Sequence, residues 1–198
     1  MVLESISHYV GAMSVFGESP AMIIGLALLG INLTLTFAHV TEEFNGRLWS
    51  YFGGIAGVQV PDWLGVPLFT VLLTVVLCSV GLAGITGIVP FWHVASEKWS
   101  LGAVSIMISS RLSDGLFSHL LLSKKYFPNP GMKSTPYYFA EAALLTVVFF
   151  PGLRNHLLAA AVGFIIGFMA FYVILPFIRL FRNRKPWHPG TPRPDWAQ

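Results

Sequence analysis

Charge is what this chain has least of. Only 11% of its residues are Asp, Glu, Lys or Arg, and 9 of 198 are acidic. An ordinary soluble domain carries roughly 25% charged residues. That shortfall accompanies 55% hydrophobic residues and a mean hydropathy of +0.68, so the bilayer is the expected solvent. Cysteine is equally scarce. The one cysteine, Cys78, sits in an apolar run. It excludes an intramolecular disulfide and a CxxC metal or redox motif, and reads as a small packing residue. The first 20 residues lack a basic stretch and a continuous apolar core, so no cleavable signal peptide is expected. They read instead as an interfacial amphipathic segment. No internal repeat is visible. The net charge of +3 has no soluble basic fold to carry it, so no nucleic-acid partner is expected.

Long apolar runs are present. A membrane helix needs about 20 mostly apolar residues. Five intervals qualify: 21–44, 66–92, 101–122, 136–150 and 155–181. The expected fold is all-α, a polytopic membrane bundle of about five helices over 21–181. Residues 1–20 would precede it, and a polar, proline-rich cytoplasmic tail over 182–198 would follow. The basic residues orient it. Arg47, Lys124, Lys125, Lys133, Arg179, Arg182, Arg184, Lys185 and Arg193 share one side, while Lys98 and Arg154 hold the other. The positive-inside rule then puts the C-terminus in the cytoplasm and the N-terminus outside. The expected location is a bacterial inner membrane.

With that topology, several polar residues share one leaflet. His39, Glu42 and Glu43 close the first span in "FAHVTEEFNG". Arg111, Asp114 and His119 lie in the third, and Tyr137, Tyr138 and Glu141 begin the fourth. A charge facing lipid near a helix centre costs roughly 2.5–3.5 kcal/mol. Glu42 and Glu43 flank the His39 direction by about −60° and +40° around a helix. One face can therefore present an imidazole and two carboxylates. Such donors suit a divalent metal such as Zn, Fe or Mn, with His39, Glu42, Glu43 and His119 as ligands. They suit acid–base chemistry equally well, with Glu42, Glu43, Asp114 and Glu141 as the reacting carboxylates. Asp114 and His119 differ by about 140° on an α-helix and are not expected to share a face. Arg111 is expected to pair with Asp114 at i+3. The bland alternative for "HVTEEFNGR" is a polar helix end, with an acid pairing Arg47. Negative charge at a helix C-terminus disfavours it.

These residues resemble a known family. "HVTEE" is similar to the H-x-x-E-E signature of the HXXEE family of small bacterial integral membrane proteins. "DGLFSHLLLSKKYFPNPGMKST" looks like that family's second block, a histidine-bearing helix followed by a tyrosine and a Pro-Gly turn. The turn here, "YFPNPG", is slightly longer than the family's pattern. The resemblance covers roughly residues 20–175, and the matching positions are His39, Glu42, Glu43, His119, Tyr126, Pro130 and Gly131. The family's name records a motif, so the resemblance implies a site and not a reaction.

The expected function is a membrane-embedded enzyme acting on a hydrophobic small molecule, lipid-like or isoprenoid-like. A metal would activate water or oxygen. Without one, a carboxylic acid with raised pKa would protonate an alkene, as in a terpene cyclase or isomerase. The 6 histidines are too few for the histidine-rich pattern of membrane desaturases. Two other classes stand beside this one. An ion or small-molecule transporter would need polar residues through both leaflets, which "AMIIGLALL" and "LLTVVFF" lack. A non-catalytic membrane scaffold would use small-residue contacts such as "GFIIG".

Overall fold

A computed structural model describes residues 20–65 and 97–195. All regular structure among the described residues is helical. Helix α1 spans Pro20–Asn45, α2 Leu48–Ala56 and the single turn α3 Asp62–Gly65. Helix α4, Glu97–Ser113, runs directly into a π-helical segment, Asp114–Leu121. A 3-10 turn over Pro130–Lys133 leads into α5, Thr135–Asn155, and then α6, Leu157–Arg179.

The long helices pack in the order α6–α4–α5–α1. Glycine sets the α4–α6 contact. A Cβ on Gly163 would stand 2.2 Å from the Gly102 carbonyl oxygen, and one on Gly167 2.2 Å from that of Ile106. The "GFIIG" spacing puts both glycines on one face, so the two backbones touch. Ser113 locks the crossing by donating to the Phe168 carbonyl at 2.9 Å. Between α4 and α5 lies an apolar core of Val104, Met107, Ile108, Ala142, Leu145 and Phe149, with Leu29 of α1 packed on it.

A second cluster forms around α2, where Leu48, Tyr51 and Ile55 enclose Trp187. Gly57 ends α2 in the left-handed region, φ 77°, where a Cβ is strained. Its carbonyl accepts from Asn183 and Arg184, and Gly54 accepts from Trp187. The proline-rich end of the chain is thereby tied to α2 by backbone hydrogen bonds.

The expectation of a membrane bundle is corrected here. Among the described residues, no helix is long and apolar enough to cross a membrane. The expected inner-membrane location and its orientation fall with it. Whole-chain hydropathy does not say how apolar residues are strung along each helix. The side chains of α1 include Asn32, His39, Glu42 and Glu43, α4 has only 17 residues, and α5 carries Glu141 and Arg154. The interval 66–92 and the segment 1–19 lie outside the described residues. Helix α6 does present a row of large exposed apolar side chains, among them Leu158, Ile165, Val173 and Phe177.

Candidate functional site

The polar residues of α1 face inward. Asn32, Thr36, His39 and Glu43 follow one another at spacings of four, three and four, which puts them on one helix face. All four are buried. Helix α1 thus turns a polar stripe toward α5, against the usual arrangement of an apolar stripe toward the core.

Glu141 of α5 receives one end of this stripe. Its carboxylate accepts from His39 Nδ1 in a short contact and stands 2.9 Å from Arg111 Nε. Thr36 Oγ1 lies 3.0 Å from Glu141 Oε2, and Asn32 Nδ2 donates to the Glu141 backbone carbonyl at 3.0 Å. Glu141 is fully buried, so these donors and the guanidinium replace the water it loses. The expected partner for Arg111 was Asp114. The packing of α4 against α5 carries the guanidinium to Glu141 instead.

Glu43 receives the other end. Tyr138 donates its hydroxyl to Glu43 Oε1 at 2.7 Å, and Ser134 Oγ lies 3.1 Å from the same oxygen. His119 Nε2 stands 3.4 Å from Glu43 Oε1. The Tyr138 ring is shared: its centroid is 4.4 Å from that of His39, in a stack, and 4.7 Å from that of His119. Burial, with the nearby Asp114 charge, pushes the Glu43 carboxyl up to about 8, against the opposing pull of Tyr138 and Ser134. At neutral pH it is therefore mostly an acid, not a carboxylate. Burial likewise raises the Tyr138 phenol, which keeps its proton and stays a donor. Burial lowers the His39 pKa, with the Glu141 hydrogen bond opposing.

Both imidazoles are oriented through Nδ1. His39 gives that proton to Glu141, and His119 gives it to the Gly131 carbonyl. Such anchoring selects the tautomer whose Nε2 carries the lone pair. Among the described residues, neither Nε2 has a hydrogen-bond partner. Gly131 is required at its position, because a Cβ there would lie 2.5 Å from the His119 ring. Asn129 holds this turn by accepting from Gly131 N at 2.9 Å and donating to the Ser118 carbonyl at 2.7 Å.

The π-helical segment changes one expectation. Asp114 Oδ1 lies 4.0 Å from His119 Nε2, although an α-helix would point the two apart. A π-helix hydrogen-bonds i to i+5, so residue 119 comes to lie a turn above residue 114. Ser118 Oγ donates to Asp114 Oδ1 in a short contact. Glu42, by contrast, is not joined to this network. It is half-buried, and its buried Oε2 makes no hydrogen bond among the described residues.

The expected metal site is corrected. Among the described residues, no group of three or more His, Cys, Asp or Glu side chains is placed to hold a metal ion. Of the ligands expected from sequence, Glu42 lies outside the network and Glu43 is held mostly protonated. The sequence places Tyr138 at this depth without giving it a role, and three contributors have no place in that reading: Asn32, Thr36 and Ser134. The polar stripe on α1 was the available signal for the first two. A cavity of about 650 Å³ lies elsewhere, between α4 and α6, lined by Gly102, Ile106, His156, Leu158 and Val162 among others. About 21 Å of α5 separates Glu141 from the neighbouring Asn155, so the cavity is no part of the His/Glu cluster. In comparison with known proteins, no family model matches the chain, and no curated protein or solved structure matches it.

Proposed function

We propose that this chain is an acid–base enzyme that moves protons on an apolar, lipid-like or isoprenoid-like small molecule. One observation carries the reading. A buried carboxyl held near pKa 8 faces an imidazole Nε2 lone pair at 3.4 Å, with no hydrogen bond between them. An acid and a base so placed serve the two halves of a double-bond isomerisation. Glu43 gives its proton to one alkene carbon, breaking O–H and forming C–H. His119 Nε2 takes a proton from the carbon next to the resulting cation, and that C–H electron pair becomes the new double bond. Transfer from His119 back to Glu43 restores both groups. Tyr138 and Ser134 stabilise the transient Glu43 carboxylate by hydrogen bonding, while Glu141 and Arg111 orient His39 beside them. The apolar core begins at Ala142, the next residue along, which favours an apolar substrate. Because these side chains are fully buried, turnover requires the cluster to open. The HXXEE resemblance names no reaction, so the reaction class rests on this chemistry alone.

Solvent deuterium tests the proposal. The protein is incubated in heavy water with farnesol, squalene and a straight-chain alkene, and products are read by mass spectrometry. The wild-type chain is expected to place deuterium in at least one of them, and Glu43→Gln to reduce it to background. Deuterium incorporation that survives Glu43→Gln, or none with any of the three, overturns the proposal.

A further inference from the structure

Every member of the acid–base pair is sealed from water. His119 has no exposed side-chain surface, and that of Glu43 is 3% exposed. The isomerisation cycle returns its proton to Glu43, yet solvent deuterium has to reach that carboxyl before it can enter a product, and this needs a route. Asp114 differs from its neighbours in this respect, with 35% of its side chain exposed. Its Oδ1 is 4.0 Å from His119 Nε2, and Ser118 aims that oxygen by donating to it. The π-helical register is what sets the carboxylate beneath the ring. The other groups facing His119 offer no such exit, since Glu43, Tyr138 and Ser134 are all buried.

We propose that Asp114 is the proton-exchange residue of this site, passing protons between solvent and His119 Nε2. This rests on the reading of Glu43 and His119 as an acid–base pair. In the outward direction, Glu43 gives its proton to His119 Nε2, leaving a carboxylate and an imidazolium. The Nε2–H proton then passes to Asp114 Oδ1, and Asp114 gives it to water as hydronium. The inward direction is the reverse, and neither needs any other reactant. A 4.0 Å gap exceeds hydrogen-bonding distance, so a bridging water or a swing of the Asp114 carboxylate closes it. Asp114 acts through His119 and touches no reacting carbon.

The test needs no substrate. The rate of proton gain and loss at His119 Nε2 is measured by 15N relaxation dispersion on protein labelled with 15N-histidine, with His39 Nε2 as the internal reference. Asp114→Asn is expected to slow exchange at His119 by about tenfold or more while His39 is unchanged. Asp114→Glu is expected to keep the rate close to wild type. Asp114→Ala is expected to be slow and to recover with added formate. Exchange at His119 unaltered by Asp114→Asn overturns the proposal, as does equal slowing at both histidines or an Asp114→Ala variant that formate does not restore. Failure here with deuterium incorporation intact removes the Asp114 route alone. Loss of Glu43-dependent incorporation instead removes the acid–base reading itself.

Discussion

Replacing Glu43 with glutamine alters the pH dependence of stability in a way the structure specifies. The carboxyl titrates at about 8 in the fold against an ordinary value of 4.5. Between those values the folded chain holds a proton that the unfolded chain has released. Unfolding therefore becomes easier as pH rises, by about 1.4 kcal/mol per pH unit for one proton. The contribution is fully present below pH 4.5 and is lost as pH climbs through about 8. Across the whole window the loss amounts to about 5 kcal/mol. Glutamine keeps the shape and can still accept from Tyr138, but it does not titrate. The assay is denaturant unfolding followed by circular dichroism at several values from about pH 5 to about pH 9. Wild type minus Glu43→Gln should fall steadily across that range and level off above about pH 8. His39 works the other way, because burial depresses its pKa and its contribution is lost as pH falls below 6.5. It is present in both proteins, so it cancels in the difference. A flat difference curve, or one that rises with pH, would refute the assignment of Glu43 as a buried neutral acid.

Two further changes probe the frame around the site. Glu141→Ala removes the carboxylate that Arg111 and His39 both use, and should cost about 3–5 kcal/mol of unfolding free energy. Glu141→Gln should cost less, because its one amide oxygen can still accept from either His39 or Arg111, which contact different carboxylate oxygens; a loss equal to that of Glu141→Ala would show that the charge carries the whole contribution. Gly167→Ala drives a methyl group into the Ile106 carbonyl and the Ser109 hydroxyl, each 2.2 Å from the new carbon. It should force α4 and α6 apart at a cost of about 1–3 kcal/mol. Gly30→Ala, where a Cβ meets nothing within 4 Å among the described residues, is the control and should be neutral or stabilising in thermal unfolding.

The sequence by itself determined where four of the helices lie. Apolar runs mark 21–44, 101–122, 136–150 and 155–181, the third of these bounded by proline and glycine, and the described helices occupy those intervals to within about five residues. It also determined that His39 and Glu43 share a face, because i and i+4 are neighbours on any α-helix. These are local properties, set by backbone geometry within a few residues. Four things were decided only by the folded structure. The apolar composition suggested membrane spans, whereas among the described residues no helix is long and apolar enough to cross one. Arg111 sits three residues from Asp114 in the chain, yet its guanidinium lies against Glu141, brought there by the packing of α4 on α5. Asp114 and His119 meet because the chain leaves α-helical geometry after Ser113. A periodicity argument that assumes 3.6 residues per turn has no means of seeing that change. The opposition of Glu43 to His119, and of His39 to Glu141, joins residues about 75 to 100 positions apart, and only the close approach of α1, α5 and the π-helical segment creates it.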